Sequence, residues 1–334
     1  SPTFDSEQNV IVKIDENKIK YIKNKIAKNK FVNKQDANEL CNIFTDVHSI
    51  LNLSDKSHIM VIPSVNLLPI PSEIILGSYC KSDLKKEVSI LHLADLRASL
   101  DFLQFNQKNI YPSSFVGIGN PVLNKRDNEE KLSINMFSSL FRGLSLDYNN
   151  NRNFIPLPEA EKEIEEISNL FEKKHIFLNE KASILNGLKV AEKDLGKDHK
   201  AIVIATHGFP LNLSKGVSFP SLLSIENKKQ TFLNSTQISS FDLNNSTVVL
   251  SACDTASGLL KNSDLMFTGF VQSFANSGSN MIVSSLWPVE TKSSQKYTTT
   301  FFESWKNKNL IEAFRKSKNS VKDNLSLPFV TIYP

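Results

Sequence analysis

Apolar residues recur along this chain in two rhythms, and each rhythm predicts a kind of element. Ile19, Ile22 and Ile26 share one face at helical spacing, and Leu40, Ile43, Val47 and Leu51 continue the period, so residues 10–55 read as helical. His58-Ile59-Met60-Val61-Ile62 is short, apolar and stopped by Pro63, which marks a buried strand. Leu67-Leu68-Pro69-Ile70-Pro71 reads as an extended connection, residues 91–105 as a helix, and residues 114–119 as a strand ended by Asn120-Pro121. Residues 124–153 then lose their rhythm. Their mixed charge and Asn149-Asn150-Asn151 predict an exposed insertion between two halves, part of it docked through Ile134, Met136, Phe137, Leu140 and Phe141.

From Leu157 onward helix and strand alternate. Pro158 suits the first turn of a helix whose Ile164, Ile167, Leu170 and Phe171 form one stripe. A short strand is expected at 175–178, a helix at 182–195 and a strand at 201–206. An extended piece at 222–225 and a short helix at 235–241 lead to a second fully apolar strand at 247–251. A helix at 264–276, a third strand at 280–286 and helices at 291–305 and 310–321 complete the pattern. Strands apolar on both faces and separated by helices predict a parallel sheet covered on both sides.

Composition narrows the class without changing that picture. The 334 residues suit one large domain or two small ones, and the net charge of +4 is small for the length. The lysine clusters at 20–34 and 189–200 are interleaved with apolar residues and read as solvated helix faces, and no nucleic-acid partner is expected. No apolar run is long enough to cross a membrane, and no secretion signal is visible. The chain opens Ser1-Pro2-Thr3-Phe4 without Met, so it reads as a piece of a longer protein. Three cysteines, Cys41, Cys80 and Cys253, argue against a disulfide framework and for a reducing, cytoplasmic setting. No Cys-x-x-Cys exists and the histidines are dispersed, so no metal or other cofactor is expected.

In open parallel sheets, chemistry gathers where strands end. His207-Gly208 follow the strand at 201–206, and Ala252-Cys253-Asp254-Thr255-Ala256-Ser257-Gly258 follow the strand at 247–251. If these strands are neighbours, about 5 Å separates them. A thiol has an ordinary pKa of about 8.5, and a neighbouring imidazolium favours its thiolate. The same imidazole can protonate a leaving amine. The N–H groups of Gly208 and Cys253, in turns beyond the strands, are the natural donors for a tetrahedral oxyanion. Taken singly, a cysteine beside an apolar strand is more often a small hydrophobe, and a strand-end histidine is more often a hydrogen-bonded surface residue. Their matched placement is what makes the pair a site. His48, His58, His92, His175 and His199 have no such partner and read as structural, as do Cys41 and Cys80. There is no Gly-x-Ser-x-Gly elbow, no phosphate-binding Gly-x4-Gly-Lys loop, no dinucleotide fingerprint and no His-Glu-x-x-His.

Three blocks carry a resemblance: Ala205-Thr206-His207-Gly208, Leu250-Ser251-Ala252-Cys253-Asp254-Thr255-Ala256-Ser257-Gly258 and Ser284-Ser285-Leu286-Trp287-Pro288-Val289. Together they resemble the signature blocks of CHAT domains, members of the caspase–separase group of cysteine peptidases. The spacing of the pair, 253 − 207 = 46 residues, is close to the roughly 50 of caspases. The caspase Cys block itself is absent. Leu157-Pro158 with its acidic helix looks like the family's lead-in, and residues 60–73 look like its upstream strand and Pro-x-Glu turn.

The resemblance implies a caspase-like three-layer α/β/α fold with a mostly parallel sheet in two lobes. Residues 1–55 would be a helical segment, 56–155 a non-catalytic lobe carrying the insertion, and 156–334 the catalytic lobe. It implies a Cys253–His207 dyad with an oxyanion hole at Gly208 and Cys253. The acids Glu290 and Asp254 near Trp287 would form a pocket for Arg or Lys at P1. The partners implied are a protein or peptide substrate, with gasdermin-like pore formers among related targets, and a regulatory tetratricopeptide-type region. Two departures stand out: only one acid, in Glu290-Thr291, follows the Trp block, and the chain ends at Ile332-Tyr333-Pro334, short of an expected final strand. A catalytically silent scaffold is the alternative, and a thiol acyltransferase or hydrolase of another fold is a third reading.

Overall fold

A computed structural model of the chain describes residues 17, 41–42, 58–61, 72, 89–93, 110–122, 156–193, 195–213, 217–252, 269–285, 289–321 and 329–333. The strands are β1 (His58–Val61), β2 (Ser89–Leu93), β3 (Ser114–Gly119), β4 (Lys173–Leu178), β5 (Lys200–Ala205), β6 (Gly208–Leu213), β7 (Val217–Glu226), β8 (Lys229–Asn234), β9 (Ser246–Leu250), β10 (Met281–Ser285) and β11 (Phe329–Tyr333). The helices are α1 (Pro158–Ser168), α2 (Ile184–Lys193), α3 (Ser235–Ile238), α4 (Phe270–Asn276), α5 (Thr291–Asn307) and α6 (Leu310–Ser320).

Eight strands form one sheet in the order β1-β2-β11-β10-β9-β5-β3-β4. The five strands β4, β3, β5, β9 and β10 are parallel. β11 joins β10 antiparallel, and β2 and β1 continue parallel to β11, so three strands run against the other five. Every residue of β3, β5, β9 and β10 is buried, as a parallel sheet with both faces covered requires.

Alternation along the strands divides the core. Phe115, Ala201, Val203, Val249, Met281 and Val283 point to one side, where they join Ile164 and Ile167 of α1 and the aromatic residues of α5 and α6. Tyr297, Phe301, Phe302 and Trp305 are almost fully buried there. Phe301 stacks on Phe314 across α5 and α6, with ring centroids 5.2 Å apart. α2 covers the other face. Two glycines let the helices approach: a Cβ on Gly117 would collide with Ile164 on α1, and one on Gly187 of α2 would come within 2.6 Å of Ile118.

The amino edge of the β5–β9 pair is tied by buried polar groups. His199 Nε2 and Thr247 Oγ1 are 2.9 Å apart. Burial, with a smaller contribution from Lys200, pushes the His199 pKa down to about 4. The Lys200 ammonium donates to the carbonyls of Ala191 (2.9 Å) and Gly196 (3.1 Å) at the end of α2, where the helix dipole favours a cation. Burial also lowers its pKa, against an upward pull from Asp242 and Glu192.

The strand read at 114–119 and the helices read from 158, 291 and 310 are present. Four findings differ from the sequence expectations. Residues 89–93 are β2 rather than the start of a helix, because a short apolar run has no decisive period. A second, three-stranded antiparallel sheet, β6-β7-β8, occupies 208–234, where only 222–225 was expected to be extended. The final strand is present as β11. Cys41, on a helical residue, is disulfide-bonded, so a sparse cysteine count did not exclude a bridge.

The expected two lobes are not what the pairing shows, since β3 hydrogen-bonds β4 and β5 across the boundary placed at 155. The extended connection at 67–71 and the insertion at 124–153 lie outside the described residues, as does nearly all of the segment at 10–55. Among the described residues, no helix is long and apolar enough to cross a membrane.

Candidate active site

β5 and β9 are adjacent and parallel, with Ile204 opposite Leu250. His207 stands three residues beyond Ile204, and Cys253 three residues beyond Leu250. In the sequence, then, each follows the carboxyl end of one of two neighbouring strands. Cys253, Asp254 and Trp287 lie outside the described residues; His207, Gly208 and Glu290 lie within them.

The histidine end is fastened to β7. Thr206 Oγ1 donates to the carbonyl of Leu223 (2.7 Å), and the Leu223 N–H donates to the carbonyl of His207 (3.0 Å). His207 itself is half-buried. Gly208 is the first residue of β6, opposite Leu222, rather than part of a free turn. Since the 207–223 position carries the ladder hydrogen bond, the 208–222 position is the open pair. The Gly208 N–H therefore points away from β7.

The cysteine end is fastened by side chains. The Ser251 N–H donates to the Ile204 carbonyl at 2.9 Å, continuing the ladder. Its hydroxyl donates to Glu163 Oε2 of α1 at 3.0 Å and lies 2.6 Å from the Ser294 hydroxyl of α5. Ser285 Oγ, at the end of β10, donates to the Ala252 carbonyl at 3.0 Å. The two residues before Cys253 are thus held by one backbone bond to β5 and by side chains from α1, α5 and β10, and both are buried.

Glu290 sits at the start of α5. Its carbonyl accepts from the Ser294 N–H (2.9 Å), and its carboxylate accepts from Ser293 Oγ (2.5 Å). Ser294 is the residue that touches Ser251, so Glu290 lies one helical turn from a group at the end of β9.

Residues that sequence reasoning passed over complete this edge. Asn120 and Asn179, at the ends of β3 and β4, adopt φ of 51° and 56°, a region where asparagine is enriched. Asn120 Nδ2 donates to Glu161 Oε2 (3.1 Å) and Asn179 Oδ1 (2.8 Å), and Asn179 Nδ2 donates to Glu161 Oε1 (3.0 Å). Asn120 also accepts from the Leu157 N–H at 2.6 Å, which docks the start of α1 on the sheet. Nothing in a single sequence announced this long-range network, but Glu163 left a trace. It falls on the buried stripe with Ala160, Ile164 and Ile167, where an acid is out of place.

A groove of about 460 Å³ runs between α1 and α5, lined by Lys162, Glu166, Lys292, Gln295, Lys296 and Thr299 among others; it includes neither His207 nor Gly208. Among the described residues, no three of His, Cys, Asp and Glu come together as a metal site.

The family model of the CHAT domain matches residues 34–328. No curated protein sequence matches. The separase of Saccharomyces cerevisiae, solved in complex with securin, is similar over 83% of this chain at 16% identity and a TM-score of 0.49; the match spans 16% of the separase chain. The Arg-specific cysteine proteinase gingipain R is similar over 90% of this chain and 67% of its own, at 10% identity and a TM-score of 0.50. At that identity the likeness to gingipain R shows a shared α/β fold and no more.

Proposed function

The chain belongs to the CHAT domain family, and from that premise we propose that it is a cysteine endopeptidase acting through Cys253 and His207. One observation carries the reading: β5 and β9 are parallel neighbours with Ile204 opposite Leu250, and in the sequence His207 and Cys253 each follow by three residues. Adjacent strands lie about 4.8 Å apart, within the reach of a cysteine and a histidine side chain.

In the proposed reaction the His207 imidazole takes the Cys253 proton, and the thiolate attacks the carbonyl carbon of the scissile peptide bond. The oxyanion formed receives hydrogen bonds from the N–H groups of Gly208 and Cys253. The outward direction of the Gly208 N–H supports that role. Collapse breaks the C–N bond, and the imidazolium protonates the departing amine. The thioester is then hydrolysed by a water that gives its proton to His207, which releases the acid and restores the thiol.

For specificity, the proposal is a basic P1 residue received by Glu290 and Asp254 beside Trp287. The position of Glu290, one turn from Ser294, supports its share in such a pocket. The Arg specificity belongs to gingipain R and is extended to this chain only as part of the proposal.

The test is cleavage of a peptide library by the parent chain beside Cys253→Ala and His207→Ala. The expected result is cutting after Arg or Lys by the parent, with losses of roughly 10³-fold or more in both variants. Equal cutting by all three chains ends the dyad assignment. Absence of cutting by the parent favours a scaffold role, and cutting after apolar or acidic residues ends the basic-P1 proposal alone.

A further inference from the structure

One carboxylate is placed where an apolar side chain belongs. Glu163 lies on the buried stripe of α1 between Ala160 and Ile167 and is fully buried. Burying a carboxylate is costly unless it is hydrogen-bonded, so its partner is informative. Its Oε2 accepts from the Ser251 hydroxyl at 3.0 Å. Ser251 is also bound to Ile204 through its N–H and lies against Ser294 through its hydroxyl. It stands two residues before Cys253.

We propose that Glu163 is a positioning residue for the thiol. Its carboxylate fixes the Ser251 hydroxyl, and through Ser251 it steadies the end of β9, two residues before Cys253 in the sequence. The inference deepens the Cys253–His207 reading and rests on it. An apolar residue at this point of α1 would fill the space but would remove the bond from the Ser251 hydroxyl to α1. The strand end would then hold one bond fewer on the α1 side. Small displacements of a reacting group are costly: about 1 Å can lower a rate about 100-fold.

The experiment measures alkylation of Cys253 by iodoacetamide between pH 5 and 9, with the modified peptide quantified by mass spectrometry. It needs no substrate, so it separates positioning from peptidase activity. The chains compared are the parent, Glu163→Leu, Glu163→Gln, Ser251→Ala and His207→Ala, each with its thermal midpoint. A thiol activated by imidazole reacts well below its ordinary pKa of about 8.5. Glu163→Leu is expected to slow alkylation at pH 6 by about 10-fold or more and move the profile toward that of an ordinary thiol. Glu163→Gln keeps an acceptor for Ser251 and is expected to stay within about 3-fold of the parent. Ser251→Ala is expected to follow Glu163→Leu and stands in for it if that variant does not fold.

A purely structural Glu163 lowers the thermal midpoint of Glu163→Leu but leaves the alkylation profile of the folded protein unchanged, and that result overturns the inference. If His207→Ala shifts the profile while Glu163→Leu and Ser251→Ala do not, the positioning role fails and the dyad stands. If His207→Ala leaves the profile unchanged, the dyad reading fails and this inference fails with it.

Discussion

The two strand ends at the candidate site are built from different materials. The end of β5 is held to β7 by the backbone of Leu223 and by the Thr206 hydroxyl. The end of β9 keeps one ladder bond and is otherwise held by Glu163, Ser294 and Ser285. Backbone bonds persist through most substitutions, whereas hydroxyl and carboxylate bonds disappear with a single residue. The histidine is therefore set by topology, and the approach to the cysteine by side chains from α1, α5 and β10. Sequence change is expected to disturb the second end far more easily than the first.

Several substitutions break or sharpen that contrast. Trp305→Ala removes a fully buried ring that packs against His199 at the far edge of the sheet, and is expected to cost about 3–5 kcal/mol in denaturant unfolding without favouring either end.

Acid acts next, at the opposite edge of the same two strands. His199 is neutral in the fold, with its pKa pushed down to about 4 from 6.5. The unfolded chain therefore binds the extra proton first. Stability from this group is complete above about pH 6.5 and is lost as the pH falls toward 4, by about 3 kcal/mol in all. Unfolding measured across that window is expected to show the loss, and a His199→Gln variant a shallower one.

Ser251→Val removes the donor to a buried carboxylate and is expected to cost about 2–3 kcal/mol. Thr206→Val removes one neutral hydrogen bond while the Leu223–His207 bond remains, and is expected to cost about 1 kcal/mol. Equal costs for these last two would remove the contrast between the ends.

What was legible in the sequence follows the same division. β3 and β9 were readable because both their faces are covered, which leaves unbroken apolar runs bounded by turn residues. α1 was readable from Pro158 and its stripe, and the same stripe held the sign of Glu163. The β6-β7-β8 sheet was not readable. Pro210 and Pro220 face each other in it and mask both strands. The β7–β8 turn uses Asn227 and Lys228 at positive φ without the glycine that usually marks such a hairpin. Leu223, which clamps the histidine end, belongs to that masked sheet, so its role was hidden. The contacts of Ser251 with Glu163 and Ser294 span 88 and 43 residues of sequence, a range at which local patterning carries no signal.

The central claim, that the sulfur and the imidazole at neighbouring strand ends work as one unit, is tested most directly by covalent trapping. A peptidyl acyloxymethyl ketone with Arg at P1, incubated with the full chain, should add once, at Cys253, and addition should fall by roughly 100-fold or more in His207→Ala. Equal labelling of Cys253 in the parent and in His207→Ala would contradict it.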